Sequence, residues 1–218
     1  MSSRHLKRQS IPKSWPVERK SSTYIVKPRF SIKEGIPVLI ILRDILKIAQ
    51  NRSEAKKIIH SKQILVNQRK VKDEKNNILL FDTINILPLK SYYRLELSEK
   101  GKFYLNKIKE SETDKKIAKI INKKILKGKK TQLNLSDGRN FLSDIKCNIN
   151  DSVVINLKEG KIEKCIPMEE KAKIIVFAGK HIGKKGGVIK LNLKEKTAKV
   201  KISGKEINIL INQLMVVE

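Results

Sequence analysis

The segment Pro37–His60, PVLIILRDILKIAQNRSEAKKIIH, decides how the first half of the chain folds. In its first part, from Pro37 to Gln50, apolar residues recur at intervals of three and four, which is typical of one buried helix face. Pro37 suits the first turn of such a helix. In the second part Ser53 is a good N-cap, and Ala55 begins a new apolar stripe. The segment therefore predicts two consecutive helices.

Short strands follow these helices. The stretches ILVN, from Ile64, and RKVK, from Arg69, read as a hairpin about Asn67-Gln68, and DTINIL supplies a third strand. Such a helix–helix–strand unit can bring many cations to one side. The candidates are Arg43, Lys47, Arg52, Lys56, Lys57, Arg69 and Lys70.

The charge of the chain indicates a polyanionic partner. The 218 residues carry a formal net charge of +27, and this excess destabilises the folded state unless a polyanion neutralises it. A membrane binder would concentrate its lysines opposite one apolar helix face, whereas here they occur in every segment. We therefore expect nucleic acid as the partner and no membrane. Lysine outnumbers arginine, which favours phosphate contacts over reading of bases.

Several function classes are disfavoured by the composition. No apolar run approaches the length of a membrane span, and the N-terminus has no apolar signal region. Cys147 and Cys165 lie in separate segments without metal spacing, which favours buried reduced thiols. His5, His60 and His181 do not cluster and stand among lysines. We expect a cytoplasmic protein with no metal, no cofactor and no small-molecule substrate.

Residues 1–35 are rich in basic residues and interrupted by prolines, without a sustained period. This pattern predicts an extended arm that becomes ordered against a partner. Trp15, Tyr24, Ile25 and Val26 favour partial docking on the protein body. The cations of the arm that we expect to contact nucleic acid are Arg4, His5, Lys7, Arg8, Lys13, Arg19 and Lys20.

Residues 88–170 predict a small β-rich middle domain that contains one lysine-rich helix. The helix is assigned to the stretch SETDKKIAKIINKKILKGKK, where isoleucines from Ile117 to Ile125 follow helical spacing. Its lysines are open to a second interpretation as a merely solvated face. The stretch TQLNLSDGRNFL then reads as a hairpin, with its turn at Asp137-Gly138 and Arg139 beside it. A further hairpin is predicted about Glu159-Gly160.

The stretch Val176–Lys190, VFAGKHIGKKGGVIK, combines glycines with lysines, as phosphate-binding loops do. However, Gly179 and Gly183 enclose three residues, and Lys185 stands where a nucleotide-binding loop needs Ser or Thr. The following residues alternate at Ile189, Leu191 and Leu193, which predicts a strand rather than a phosphate-binding helix. The stretch is therefore interpreted as a glycine-bearing hairpin. Its lysines either contact RNA phosphates or keep the protein soluble. Its cations are Lys180, His181, Lys184 and Lys185, and its turn glycines are Gly179, Gly183 and Gly186.

The stretch IPVLIILRDILKIAQNRSEAKKIIHSKQILVNQRKVKDE resembles the S-four type RNA-binding domain. It is most similar to the form found in the small-subunit ribosomal protein S-four-e family of archaea and eukaryotes. The arm and the segment QLNLSDGRN are similar to the same family, although Gln68 replaces the usual glycine of the hairpin turn. The stretch KIIVFAGKHIGKKGGVIKL resembles a KOW motif, which implies a small β-barrel at residues 171–218.

The resemblance implies a multidomain α+β protein. Its parts would be the arm at 1–35, the RNA-binding domain at 36–87, the middle domain at 88–170 and the KOW barrel. It implies binding to small-subunit rRNA beside neighbouring ribosomal proteins in the cytoplasm. Two alternatives stay open: a KOW-bearing transcription or RNA-processing factor, which would explain only the C-terminal part, and an RNA-modifying enzyme. No segment offers catalytic residues for the latter.

Overall fold

The computed structural model describes residues 4–143, 145–192 and 194–217. The described chain consists mostly of antiparallel strands with few helices. It packs into two compact units, one formed by residues 4–97 and 102–114, the other by residues 98–101 and 115–217. Within the described residues, no helix is long and apolar enough to cross a membrane.

The first unit contains the arm, two helices and three small sheets. A pair β1–β2, a pair β3–β6 and a five-stranded sheet of order β5-β4-β7-β8-β9 make up its sheets. The strands are β1 (Leu6–Lys7), β2 (Tyr24–Ile25), β3 (Gly35–Pro37), β4 (Ile64–Val66), β5 (Arg69–Lys70), β6 (Asn77–Leu79), β7 (Thr83–Ile86), β8 (Ser91–Leu97) and β9 (Phe103–Lys107). The helices are α1 (Val38–Ile40), which continues as a π-helical turn (Ile41–Ile45), and α2 (Arg52–His60), with short 3-10 turns at Arg8–Ser10 and Glu110–Glu112.

The two predicted helices are present with different ends. The first is buried on all sides from Val38 to Leu42 and stops at Ile45, short of the predicted Gln50, before Lys47 adopts a left-handed backbone with φ of 53°. The second is capped by Asn51, whose side chain accepts from the Glu54 N–H at 2.9 Å, and not by Ser53. A side-chain acceptor at this position satisfies one of the free N–H groups of the first helical turn.

The predicted hairpin turn at Asn67-Gln68 is present, and both residues have positive φ, 51° and 63°. Two hydrogen bonds hold the Asn67 side chain. Its amide NH₂ donates to Asp82 at 2.8 Å, and its Oδ1 accepts from the Thr83 N–H at 3.1 Å. The Gln68 amide donates to Asp114 at 2.8 Å. These bonds offset the strain that a side chain meets in this conformation, so the turn forms without glycine.

The described residues of the arm fold back onto the first unit. Trp15 is buried and donates its indole N–H to the Gly35 carbonyl at 3.0 Å, which confirms docking through this side chain. The Phe103 N–H donates to the Ser14 carbonyl at 2.8 Å. Tyr24, by contrast, is exposed over 57% of its surface. The arm is therefore anchored by Trp15 and leaves Tyr24 at the surface.

The second unit consists of two five-stranded antiparallel sheets with the orders β12-β11-β10-β13-β14 and β18-β17-β16-β15-β19. The first has β10 (Lys115–Ile125), β11 (Thr131–Leu135), β12 (Asn140–Leu142), β13 (Ser152–Asn156) and β14 (Lys161–Ile166). The second has β15 (Lys173–Val176), β16 (Lys185–Asn192), β17 (Thr197–Ile202), β18 (Lys205–Leu210) and β19 (Leu214–Val216). Short 3-10 turns lie at Lys127–Lys129 and Ile211–Gln213.

The prediction of a lysine-rich helix in the middle domain is wrong, because the residues assigned to it form the long strand β10. Ala118 and Ile120 lie in the core of the first sheet, and Lys116 is buried against Asp137 with 2.7 Å between Nζ and Oδ2. Lys119 is buried as well. A strand is recognised in a sequence by the alternation of apolar and polar residues on its two faces. Here two lysines, which are normally expected to face solvent, lie inside the protein, so the sequence does not display this alternation.

The divisions of the chain also differ from the four predicted segments. The expected boundary after Leu87 falls inside a continuous sheet, since β7 pairs with β8 from Thr83–Arg94 to Ile86–Ser91. β8 in turn pairs with β9. The strands at the start of the predicted middle domain therefore complete the sheet of the first unit.

Glycines shape the loop between β15 and β16. Gly179 and Gly183 have φ of 89° and 87°, and Gly138 in the other predicted turn has 80°. Gly186 is not a turn residue, which corrects the prediction: it lies within β16, where a β-carbon would be 2.4 Å from the Lys201 carbonyl oxygen. A bulge between Val188 and Lys190 interrupts the predicted alternation at Ile189, and Leu193 lies outside the described residues.

Lys119 ties the two sheets of the second unit together. Its ammonium donates to the carbonyls of Ile211 and Leu214, at 2.5 and 2.8 Å, and lies 5.8 Å from the centre of the Phe177 ring. Burial lowers the pKa of Lys119 to about 8 from the usual 10.5. Bonds to carbonyls keep the charged side chain inside because they replace its water.

The lowered pKa of Lys119 predicts a pH dependence of stability. Between about pH 8 and 10.5 the unfolded chain holds the proton that the folded chain has lost, so the free energy of unfolding rises with pH in this window. We expect a gain of about 2 kcal/mol in the wild type, on the scale of 1.36 kcal/mol per pKa unit. Lys119→Met should lack this part of the gain. Urea unfolding of both proteins from pH 7.5 to 10 measures the difference, and parallel curves would contradict the prediction.

Candidate nucleic-acid interface

A cleft of about 430 Å³ lies in the first unit where the arm meets the two helices. We call it the arm cleft. Cations and apolar side chains alternate around it, and no acidic side chain lines it among the described residues. Its lining residues are Arg4, His5, Leu6, Tyr24, Ile25, Val26, Lys27, Leu39, Arg43, Arg52 and Lys75.

Two guanidinium groups of the arm cleft are positioned by carboxylates. The Arg43 side chain donates to Asp44, with 2.9 Å between Nη2 and Oδ2. Arg52 donates to Glu74 at 2.5 Å, and Glu74 is buried. Lys56 lies 3.9 Å from the same carboxylate oxygen. Glu74 therefore fixes the cations at the start of α2, and the predicted Arg52 and Lys56 come together on it.

Arg8 departs from the prediction that it faces nucleic acid. Its side chain is only 8% exposed. Its guanidinium donates to the carbonyl of Glu18 at 2.7 Å, and to the carbonyl and hydroxyl of Ser22 at 3.0 and 2.9 Å. Arg8 thus shapes the arm from inside. A sequence pattern gives no signal for this role, because the partners are set by the path of the chain.

The remaining predicted cations of the first unit lie at its surface and are not gathered into the arm cleft. They are exposed side chains on the arm, in the loop after the first helix, on α2 and on the hairpin β4–β5. This group comprises Lys7, Lys13, Arg19, Lys20, Lys47, Lys57, Arg69 and Lys70.

The cations predicted in the second unit occupy two separate places. Lys180 and Lys185 are exposed at the loop between β15 and β16, with His181 and Lys184 half-buried beside them. The loop is closed by the Gly183 N–H, which donates to the Val176 carbonyl at 2.7 Å. Arg139 lies instead beside Asp137, with 3.5 Å between Nε and Oδ2. Asp137 also pairs with Lys116.

The hairpin β10–β11 carries a basic surface that the sequence interpretation missed. Beyond Ile120, β10 pairs with β11 alone, and its residues from 121 to 125 are exposed. Lys124, Lys127 and Lys130 lie at or near its tip, and Ile125 is 74% exposed. The available signal was the run of β-branched isoleucines followed by Gly128, which favours a strand and a turn.

The described residues offer no metal centre. No group of three or more His, Cys, Asp or Glu side chains could hold a metal ion among them. Cys147 is buried, and burial, followed by Cys147 and Asp151 beside it, raises the pKa of the Cys165 thiol. A thiol kept neutral in this way is a poor nucleophile.

Comparison with known proteins places these features in a family. Residues 2–30 match the RS4NT (NUC023) domain, and residues 89–162 match the ribosomal family S4e. A small ribosomal subunit protein eS4 from Methanothermobacter thermautotrophicus is 39% identical over 195 residues, covering 88% of this chain and 81% of the relative. That of Caldivirga maquilingensis is 32% identical over 224 residues, covering 98% and 94%.

A solved structure agrees with these matches. The crystal structure of the 30S ribosomal protein S4e from Thermoplasma acidophilum superposes with a TM-score of 0.72 at 25% identity, covering 84% of this chain and 95% of that one. Small antiparallel sheets with cationic loops and a cationic cleft are typical of the class of nucleic-acid-binding proteins. Within that class, the chain belongs to the S4e family.

Proposed function

We propose that this chain is a structural constituent of the small ribosomal subunit and binds its rRNA through phosphate contacts. The S4e family is structural and not enzymatic. The observation that carries the proposal is the arm cleft, where six basic side chains converge. Two of them, Arg43 and Arg52, are ion-paired with Asp44 and Glu74, which are not among the lining residues. Its place of action is the ribosome, and hence the cytoplasm.

The proposed RNA contacts come from three surfaces. The first is the arm cleft with the exposed cations of α2 and the hairpin β4–β5, which corresponds to the S-four type RNA-binding domain. The second is the KOW-type loop between β15 and β16, and the third is the tip of the hairpin β10–β11. Lysine dominates all but the arm cleft, and its compact charge binds phosphate without demanding a base partner. Neighbouring ribosomal proteins are the other proposed partners.

Salt dependence tests the proposed mode of binding. Contacts to phosphates release counterions, so the logarithm of the association constant should fall linearly with the logarithm of salt concentration. With three basic surfaces we expect at least about six contacts and a slope of roughly −4 or steeper. The measurement is filter binding of the full chain to small-subunit rRNA between 50 and 500 mM KCl. A nearly flat dependence would instead assign the affinity to base reading or apolar docking.

A further inference from the structure

The arm cleft contains more than a phosphate site requires. A phosphate backbone is bound by cations and hydrogen-bond donors, yet here Leu6, Ile25 and Leu39 also line the surface. Tyr24 lies at the cleft with its ring more than half exposed. An exposed aromatic face beside an apolar floor is the arrangement that stacks an unpaired base.

The orientation of Tyr24 is set within the arm. Its backbone pairs with Lys7 in the two-stranded β1–β2 sheet. The His5 ring lies beside the phenol, with ring centres 5.7 Å apart and planes tilted by 56°. A tilted arrangement of two aromatic rings is favourable, so His5 helps to hold the Tyr24 ring in place. Tyr24 is thus a fixed platform at the cleft.

The cations of the arm cleft suit the charged part of a nucleotide. Arg43 and Arg52 are positioned by Asp44 and Glu74, and Arg4 and Lys75 lie on the same lining. The cleft volume of about 430 Å³ falls in the range of small-ligand sites, roughly 300–1,000 Å³. Base stacking and phosphate binding can therefore occur together in this one place.

We propose that the arm cleft holds one unpaired nucleotide of the bound RNA, with its base stacked on Tyr24 and its phosphate among the surrounding arginines and lysines. This proposal rests on the proposed function and makes it more specific. It assigns an RNA structure, a bulged or looped-out nucleotide, to one site of the protein. It also separates Tyr24, which binds the base, from the exposed lysines, which bind any phosphate.

The test uses two RNA hairpins that are identical except for a single bulged 2-aminopurine in one of them. We expect the wild type to bind the bulged hairpin about tenfold more tightly, since one stacked base contributes that order of affinity. Stacking should also quench the 2-aminopurine fluorescence. Tyr24→Leu should abolish the preference and the quenching, while Tyr24→Trp should keep both.

Phe30→Leu provides the matched control. Phe30 is a comparably exposed aromatic residue of the arm, at 60%, and it does not line the cleft. The Phe30→Leu variant should keep the tenfold preference for the bulged hairpin. Thermal melting checks that each variant is folded. Equal binding of both hairpins by the wild type, or a preference that survives Tyr24→Leu, would overturn the cleft assignment alone. Failure of the wild type to bind either hairpin at low salt would overturn the proposed function as well.

Discussion

Replacing Gly183 with valine is expected to destabilise the second unit by about 3 kcal/mol or more. Gly183 has a φ of 87°, where a residue with a side chain is strained. A β-carbon there would lie 1.9 Å from the Ser98 carbonyl oxygen. Because this oxygen belongs to backbone, the overlap cannot be relieved by a rotamer change, and the loop between β15 and β16 must move.

Two further variants make this prediction specific. Gly183→Ala should cost nearly as much as valine, since the β-carbon itself makes the overlap. Gly187→Ala, four residues along the same segment, should melt close to the wild type because a β-carbon there meets nothing within 4 Å. Differential scanning calorimetry of the full chain should show a fall of roughly 10 °C or more for both Gly183 variants. A wild-type melting temperature for Gly183→Ala would contradict the proposed close approach.

Reversing the charge of Lys57, Arg69 and Lys70 together is expected to weaken rRNA binding at least about 100-fold at low salt. Each substitution removes a charge-assisted contact, of about 1.5 kcal/mol, and adds repulsion from phosphate. All three side chains are exposed, so the fold should be unaffected. Arg52 is left unchanged, because its reversal would leave the buried Glu74 carboxylate facing a like charge.

The control for this variant has the same change in net charge. Lys161, Lys173 and Lys205 are exposed lysines on strands of the second unit, outside the proposed contact surfaces. Their reversal to glutamate should weaken binding less than tenfold. Filter binding of wild type and both triple variants to rRNA gives the comparison. If the two triple variants lose affinity equally, binding depends on total charge and not on the exposed cations of α2 and the hairpin β4–β5.

Features that depend on neighbours in sequence were predictable. The turns at Asn67-Gln68 and Asp137-Gly138 each join strands where the pattern places them. Two-residue turns need residues that tolerate positive φ, and the sequence displays those residues directly. The first helix was found for a similar reason, although its end was not, because Lys47 gives no local stop signal.

Features that depend on distant partners were not predictable. Lys116 and Lys119 are inside because Asp137, Ile211 and Leu214 receive them, and these partners lie far from the two lysines in the sequence. When those partners are unknown, a lysine is expected to be solvated, so the sequence of β10 predicts an amphipathic helix. Individual cations such as Arg4, Arg43 and Arg52 were predicted to bind RNA. Their meeting in one cleft with Tyr24 follows only from the path of the arm.

The docking of the arm also affects the order in which parts of the chain fold during synthesis. Trp15 is made early, yet Ser14 beside it bonds to Phe103, which leaves the synthesising ribosome much later. Contacts between such distant positions form slowly, because a long loop must close first. Until β9 appears, the newborn arm therefore lacks the bond that joins Ser14 to Phe103, and it is a strongly cationic segment that is not yet fully docked. A cationic segment that is not fully docked attracts cellular polyanions.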